Sequence, residues 1–103
     1  MGDTEPEALG SFMAEWAGLE QLLVSRAQMY GERVFGLGQA LGTLRRRGAL
    51  SSPVLDEIES LRKLRNRVVH GTEPPMRATL GQAMNRVRQI RASVQDELPG
   101  GGE

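Results

Sequence analysis

The chain contains no cysteine, and His70 is its one histidine in 103 residues. These absences exclude a disulfide scaffold, thiolate metal sites and a histidine cluster for zinc, so any catalysis is expected to be metal-free and without a cofactor. Aromatic residues are scarce: two Phe, one Trp and one Tyr. Phe12, Trp16 and Tyr30 are expected in the core, which leaves little for stacking nucleic-acid bases and makes any RNA recognition mainly electrostatic. Long apolar runs are missing. The start, Met1-Gly2-Asp3-Thr4-Glu5-Pro6, has no basic segment, and Pro6 occupies the Ser/Thr position of a myristoylation pattern. No membrane partner is expected, and the anticipated setting is the cytoplasm. No stretch alternates with period two, which excludes a sheet and points to an all-α fold.

What the chain does have is a skewed charge distribution. The formal net charge is zero, yet all 13 basic residues lie between Arg26 and Arg91, where Glu32, Asp56, Glu57, Glu59 and Glu73 alone oppose them. Acidic ends therefore bracket a basic middle, an arrangement that draws phosphates but also fits ordinary solvated helix faces.

Apolar residues recur at helical spacing throughout. Phe12, Trp16, Leu19, Leu23 and Tyr30 form one stripe, with Leu9 and Ala27 beside it and Arg26 at its edge. Val34, Leu37, Leu41 and Leu44 form a second, closed by Arg45-Arg46-Arg47 at the negative end of the helix dipole and then Gly48. Gly36, Gly38 and Gly42 lack the preceding strand and the spacing of a dinucleotide loop, so they are read as allowing close helix packing. Ser52 as N-cap and Pro53 open a third helix, and Thr79 with Gln82 reads as a capping box for a fourth carrying Leu80, Met84, Val87, Ile90, Val94 and Leu98 inward. The expected helices span 8–30, 34–47, 53–70 and 79–98, in one domain over 8–98 with a disordered start (1–7) and a flexible tail (99–103). Short connections favour an antiparallel, up-and-down four-helix bundle.

The third helix holds the most informative stretch, Leu61-Arg62-Lys63-Leu64-Arg65-Asn66-Arg67-Val68-Val69-His70-Gly71. At 100° per residue Val54, Ile58, Leu61, Val68 and Val69 share a stripe flanked by Leu55 and Leu64, and Arg65 lands near its middle. A guanidinium keeps its charge and is costly to bury alone, so Arg65 calls for a compensating partner. Asn66 and His70 share a face, whereas Arg65 and His70 diverge by about 140°. They can meet one ligand if the helix loosens before His70 or if a second copy supplies the other half. Gly71 is read as the left-handed cap beyond His70.

Arg65-Asn66-(three residues)-His70 resembles the R-x(4-6)-H motif of HEPN domains, including the polar residue after the arginine. The resemblance covers nearly the whole chain in its helical setting. It implies a small, commonly homodimeric all-helical domain, and in many members a metal-independent endoribonuclease of toxin–antitoxin or phage-defence systems with a cognate antitoxin partner. On that basis Arg65, Asn66 and His70 are the candidate catalytic residues. Arg62, Lys63, Arg67 and Arg91 are weaker candidates for phosphate or RNA contacts, Arg91 by sharing a cleft with Arg65. A non-catalytic HEPN-like module that dimerises or binds nucleotides, RNA or a partner protein is the alternative, and an unrelated bundle with a coincidental motif is a third. A chain this short has little core to spare, so a symmetric dimer including the third helix is expected.

Overall fold

Pro6 can open a helix because its missing N–H would have had no intrahelical acceptor in the first turn. It does so here. The computed structural model describes residues 6–72, 74 and 76–97, and they form four helices: α1 (Pro6–Gln28), α2 (Leu37–Arg46), α3 (Ser52–Val69) and α4 (Arg77–Glu97). No strand runs through the described residues, so the all-α expectation holds. The expected disordered start is shorter than 1–7, since Pro6 and Glu7 already belong to α1. Residues 1–5, the inward Leu98 and the tail 99–103 lie outside the described residues.

One apolar core joins the helices. Phe12, Trp16, Leu19, Leu23 and Ala27 of α1 meet Leu37, Ala40, Leu41 and Leu44 of α2, Leu55, Ile58, Leu61, Leu64 and Val68 of α3, and Leu80, Ala83, Val87, Ile90 and Val94 of α4. Burying a side chain of the Leu or Phe size stabilises by about 1.5–3 kcal/mol, and this cluster is the main force holding four short elements together. Helix α1 packs on both α2 and α4, and α4 packs on α3. Among the described residues no helix is long and apolar enough to cross a membrane.

Several boundaries differ from the sequence expectation for identifiable reasons. Helix α1 stops at Gln28 because the N–H groups of Met29, Tyr30 and Gly31 donate three residues back, to Arg26, Ala27 and Gln28. That tighter winding turns Tyr30 off the core stripe, and Gly31 at φ +80° then reverses the chain. Tyr30 is consequently exposed, with the Arg47 guanidinium 5.4 Å above its ring. Val34 is buried, as its spacing suggested, but from an extended segment, since α2 begins only at Leu37. The Thr79–Gln82 capping box is not formed. The Leu80 N–H already donates to the Met76 carbonyl, so α4 starts two residues before Thr79. Ser51, rather than Ser52, is the N-cap of α3.

Both α2 and α3 end in the same device. Beyond α3, Gly71 at φ +79° lets its own N–H reach the Val68 carbonyl and the Thr72 N–H reach that of Arg67, at 3.2 and 2.9 Å. Beyond α2, Gly48 at φ +63° repeats the pattern, with Ala49 donating to Leu44. This is the Schellman arrangement, which satisfies the last carbonyls of a helix and requires a left-handed residue that glycine adopts without strain.

Candidate functional site

The buried residues of α3 fall at intervals of three: Leu55, Ile58, Leu61 and Leu64. Each step of three turns back by about 60°, so the covered face drifts around the helix from its start to its end. By the last two turns the core side is marked by Leu61, Leu64 and Val68. Arg65 is therefore half-buried at the edge rather than central, and Val69 is 48% exposed. A fixed stripe containing Val69 is thus corrected to a buried face that shifts along α3 and leaves Val69 outside it.

Arg65 has an incomplete set of partners. Its Nη1 donates to the Asn66 carboxamide Oδ1 at 3.1 Å, while its Nε is buried with no acceptor. No carboxylate reaches it among the described residues. An ionised group left in that state is unfavourable in an isolated chain, and an anion or another acceptor from outside would satisfy it.

His70 is exposed and takes the C-cap position of α3 at φ −84°, ψ 0°. Its N–H still donates to the Asn66 carbonyl at 2.9 Å, so the helical hydrogen-bond pattern continues through it. The helix does not loosen before His70. Within one chain the Arg65 and His70 side chains leave α3 in directions about 140° apart, and the structure brings together Arg65 and Asn66 but not His70.

The weaker candidates scatter. Arg62 lies 3.7 Å from Glu59, Lys63 and Arg67 are exposed, and Arg91 donates to Glu15 of α1 at 3.2 Å. Arg91 shares no cleft with Arg65. Arg91 lines a hollow against α1 with Gly18, Leu22 and Arg26, and Arg65 is not part of it.

Several arginines elsewhere are held by carboxylates, which the linear charge count concealed. Arg86 makes a two-pronged contact with Glu57, at 2.6 and 2.8 Å, and also reaches Ser60. That contact holds the Glu57 carboxyl below its ordinary range and raises Arg86, although partial burial opposes both shifts. Glu15, from the acidic first segment, accepts from both Arg88 and Arg91. Gly18, one turn on from Glu15, leaves room for that guanidinium: a Cβ there would lie 3.1 Å from Arg91 Nη1. Glu32 accepts from the Thr43 hydroxyl, Arg46 and Arg47, and these bonds hold its carboxyl below the usual value, the Thr43 bond contributing most. The expected close helix packing at Gly36, Gly38 and Gly42 is absent. Arg62 lies beside Gly38, Arg46 beside Gly42, and nothing near Gly36.

Sequence reasoning missed one feature altogether. Phe35 is 80% exposed, and it directly follows Val34, the first residue of the second apolar stripe, without sharing that stripe, which was the available signal. Two of the four aromatics, Tyr30 and Phe35, thus face solvent, against the expectation that aromatic surface would be lacking. No family model, no curated protein and no solved structure matches the chain, so its likeness to HEPN domains stands on the motif and its helical setting alone.

Proposed function

We propose that the chain is a HEPN-like, metal-independent endoribonuclease that works as a cytoplasmic homodimer, its four helices in the antiparallel order of that family. The observation that carries this reading is the Arg65 guanidinium, half-buried, bonded to Asn66 and lacking a carboxylate partner among the described residues, eight residues along a helix from a glutamate that is clamped by another arginine. Such a group suits a phosphate oxygen, to which arginine donates bidentately. His70 supplies an imidazole that can accept and return a proton. It takes the proton of a ribose 2′-hydroxyl, the 2′-oxygen attacks phosphorus, and the bond to the 5′-oxygen breaks. The 5′-oxygen gains a proton and leaves as a hydroxyl, and a 2′,3′-cyclic phosphate remains. Arg65 stabilises the charge that grows on the phosphate, and Asn66 holds Arg65 in place. Because the two side chains diverge on one helix, a composite site takes Arg65 from one protomer and His70 from its partner. Lys63, exposed and without a carboxylate partner among the described residues, adds a phosphate contact.

The test is RNA cleavage by the purified protein with and without EDTA. Cleavage should survive chelation, yield 2′,3′-cyclic phosphate ends and fall at least about 100-fold in His70→Ala, whose exposed position leaves the fold intact. Uncut RNA with wild type and His70→Ala alike would overturn the enzyme. A second reading, a non-catalytic HEPN-like module that binds RNA, nucleotide or a protein such as an antitoxin, is favoured by the pairing of Arg46, Arg47, Arg62, Arg86, Arg88 and Arg91 with carboxylates. That pairing shrinks the cationic surface open to a long RNA.

A further inference from the structure

We infer that the face formed by α1 and the 31–36 segment is a self-association surface, in which Phe35 of each copy fills the groove beside Phe35 of the other. The groove, about 620 Å³ between α1 and the start of α2, is lined by Ala17, Gln21, Val24 and Leu37 among others. Phe35 stands at its rim, 80% exposed. Projection and hollow therefore lie side by side on one patch of one chain. A two-fold axis between two such patches inserts each projection into the other's hollow, which is the geometry of an isologous interface.

Phe35 is not a loose side chain on a mobile loop. Val34 beside it is buried, and the Gln28 carboxamide donates to the Val34 carbonyl at 3.1 Å. The Phe35 N–H donates to Gln39 Oε1 at 2.7 Å, and Glu32 is clamped from α2 by Thr43, Arg46 and Arg47. An exposed aromatic on so firmly held a backbone gives up little further freedom on docking.

Charge selects the occupant. Glu20 lines the groove half-buried, and Arg33, two residues before Phe35, is exposed. Neither has an ion-pair partner among the described residues. In the two-fold arrangement Arg33 of one copy approaches Glu20 of the other, twice. A carboxylate in the groove repels a nucleic-acid backbone, so a second copy fits better than RNA. The outward residues of α1 between Gly10 and Gln28, namely Ser11, Ala14, Ala17, Gln21 and Ser25, carry no charge to keep the copies apart.

The contact uses none of the residues of the ribonuclease reading and lies apart from the α3 contact which that reading requires, so a monomeric wild type would defeat both, whereas crosslinks to α3 would defeat this one alone. It is tested by sedimentation of the full chain across the micromolar range, with variants that leave the core untouched. Wild type should self-associate, and Phe35→Asp should weaken association at least tenfold with an unchanged circular dichroism spectrum. Glu20→Arg and Arg33→Glu should each weaken it, and the two together should restore it. A photo-crosslinking phenylalanine at position 35 should attach to α1 of the neighbouring copy, within residues 17–25. A monomeric wild type, association indifferent to Phe35→Asp, a double charge swap that fails to restore, or crosslinks to α3 instead would each overturn the proposal. Should a monomeric wild type bind an oligonucleotide through Phe35, the face belongs to nucleic acid and the second copy is wrong.

Discussion

Arg86 on α4 and Arg65 on α3 are both half-buried, and each stands at the edge of an apolar stripe. Arg86 finds Glu57 and Ser60 across the α3–α4 seam, so its Nε and Nη2 donors are satisfied and its charge is neutralised. Arg65, two turns further along α3, finds only the amide of its neighbour Asn66 and leaves Nε without an acceptor. The difference lies in what the facing helix offers at each level. Near the middle of the α3–α4 seam two carboxylate oxygens face the guanidinium, and at the far end of α3 no carboxylate among the described residues does. An arginine beside a core stripe is thus structural or available according to its partner, and the two behave oppositely under mutation.

The largest expected contrast is in chemistry. Arg65→Ala should reduce RNA cleavage at least about 100-fold, in line with the loss of a donor to a charged transition state. Arg86→Ala should leave the rate nearly unchanged once folding is matched. Initial rates on one labelled RNA compare the two directly, and equal losses would erase the distinction drawn here.

Stability should run the other way. Arg65→Met removes an ill-satisfied charge from a chain at low concentration and should stabilise it by about 1 kcal/mol. Arg86→Met strands Glu57 at a seam where both side chains are more than a third exposed, so solvent screening limits the loss to about 1 kcal/mol. Urea melts of dilute protein give both signs. A destabilising Arg65→Met would mean that the guanidinium already has a partner, such as a second protomer.

Glycine substitutions sharpen the picture of the α1–α4 clamp. Gly81→Ala within α4 meets open space and should stabilise by about 0.5–1 kcal/mol through helix propensity. Gly18→Ala should gain less, because its Cβ presses on the Arg91 guanidinium that Glu15 holds. Equal gains in thermal melts would show that the clamp yields without cost.

The smallest effect is on pH dependence. Glu57 titrates below the ordinary 4.5 in the folded chain, so its contribution is fully present above that value and disappears as pH falls through the lowered folded value. Glu57→Gln should flatten the acid limb of the stability curve by a few tenths of a kcal/mol, the amount expected of a partly exposed pair. An acid limb unchanged in Glu57→Gln would assign that limb to other carboxylates, such as Glu32.

Composition and local pattern by themselves determined the helical class, the approximate spans, most of the core and the two glycine terminators, because period, proline placement and left-handed backbone are properties of neighbouring residues. Phe12, Trp16, Leu19 and Leu23 were legible in this way, as were Gly48 and Gly71. The motif Arg65-Asn66-His70 was legible too, as a spacing. Only the tertiary structure decided how α3 crosses its neighbours, and with that the exposure of Val69 and the edge position of Arg65. It also decided which arginines meet carboxylates, since Glu15 lies more than seventy residues from Arg88 and Arg91 in the chain. Tyr30 and Phe35 reached solvent for the same kind of reason: a tightened last turn and a pinned extended segment depend on partners that no local window contains.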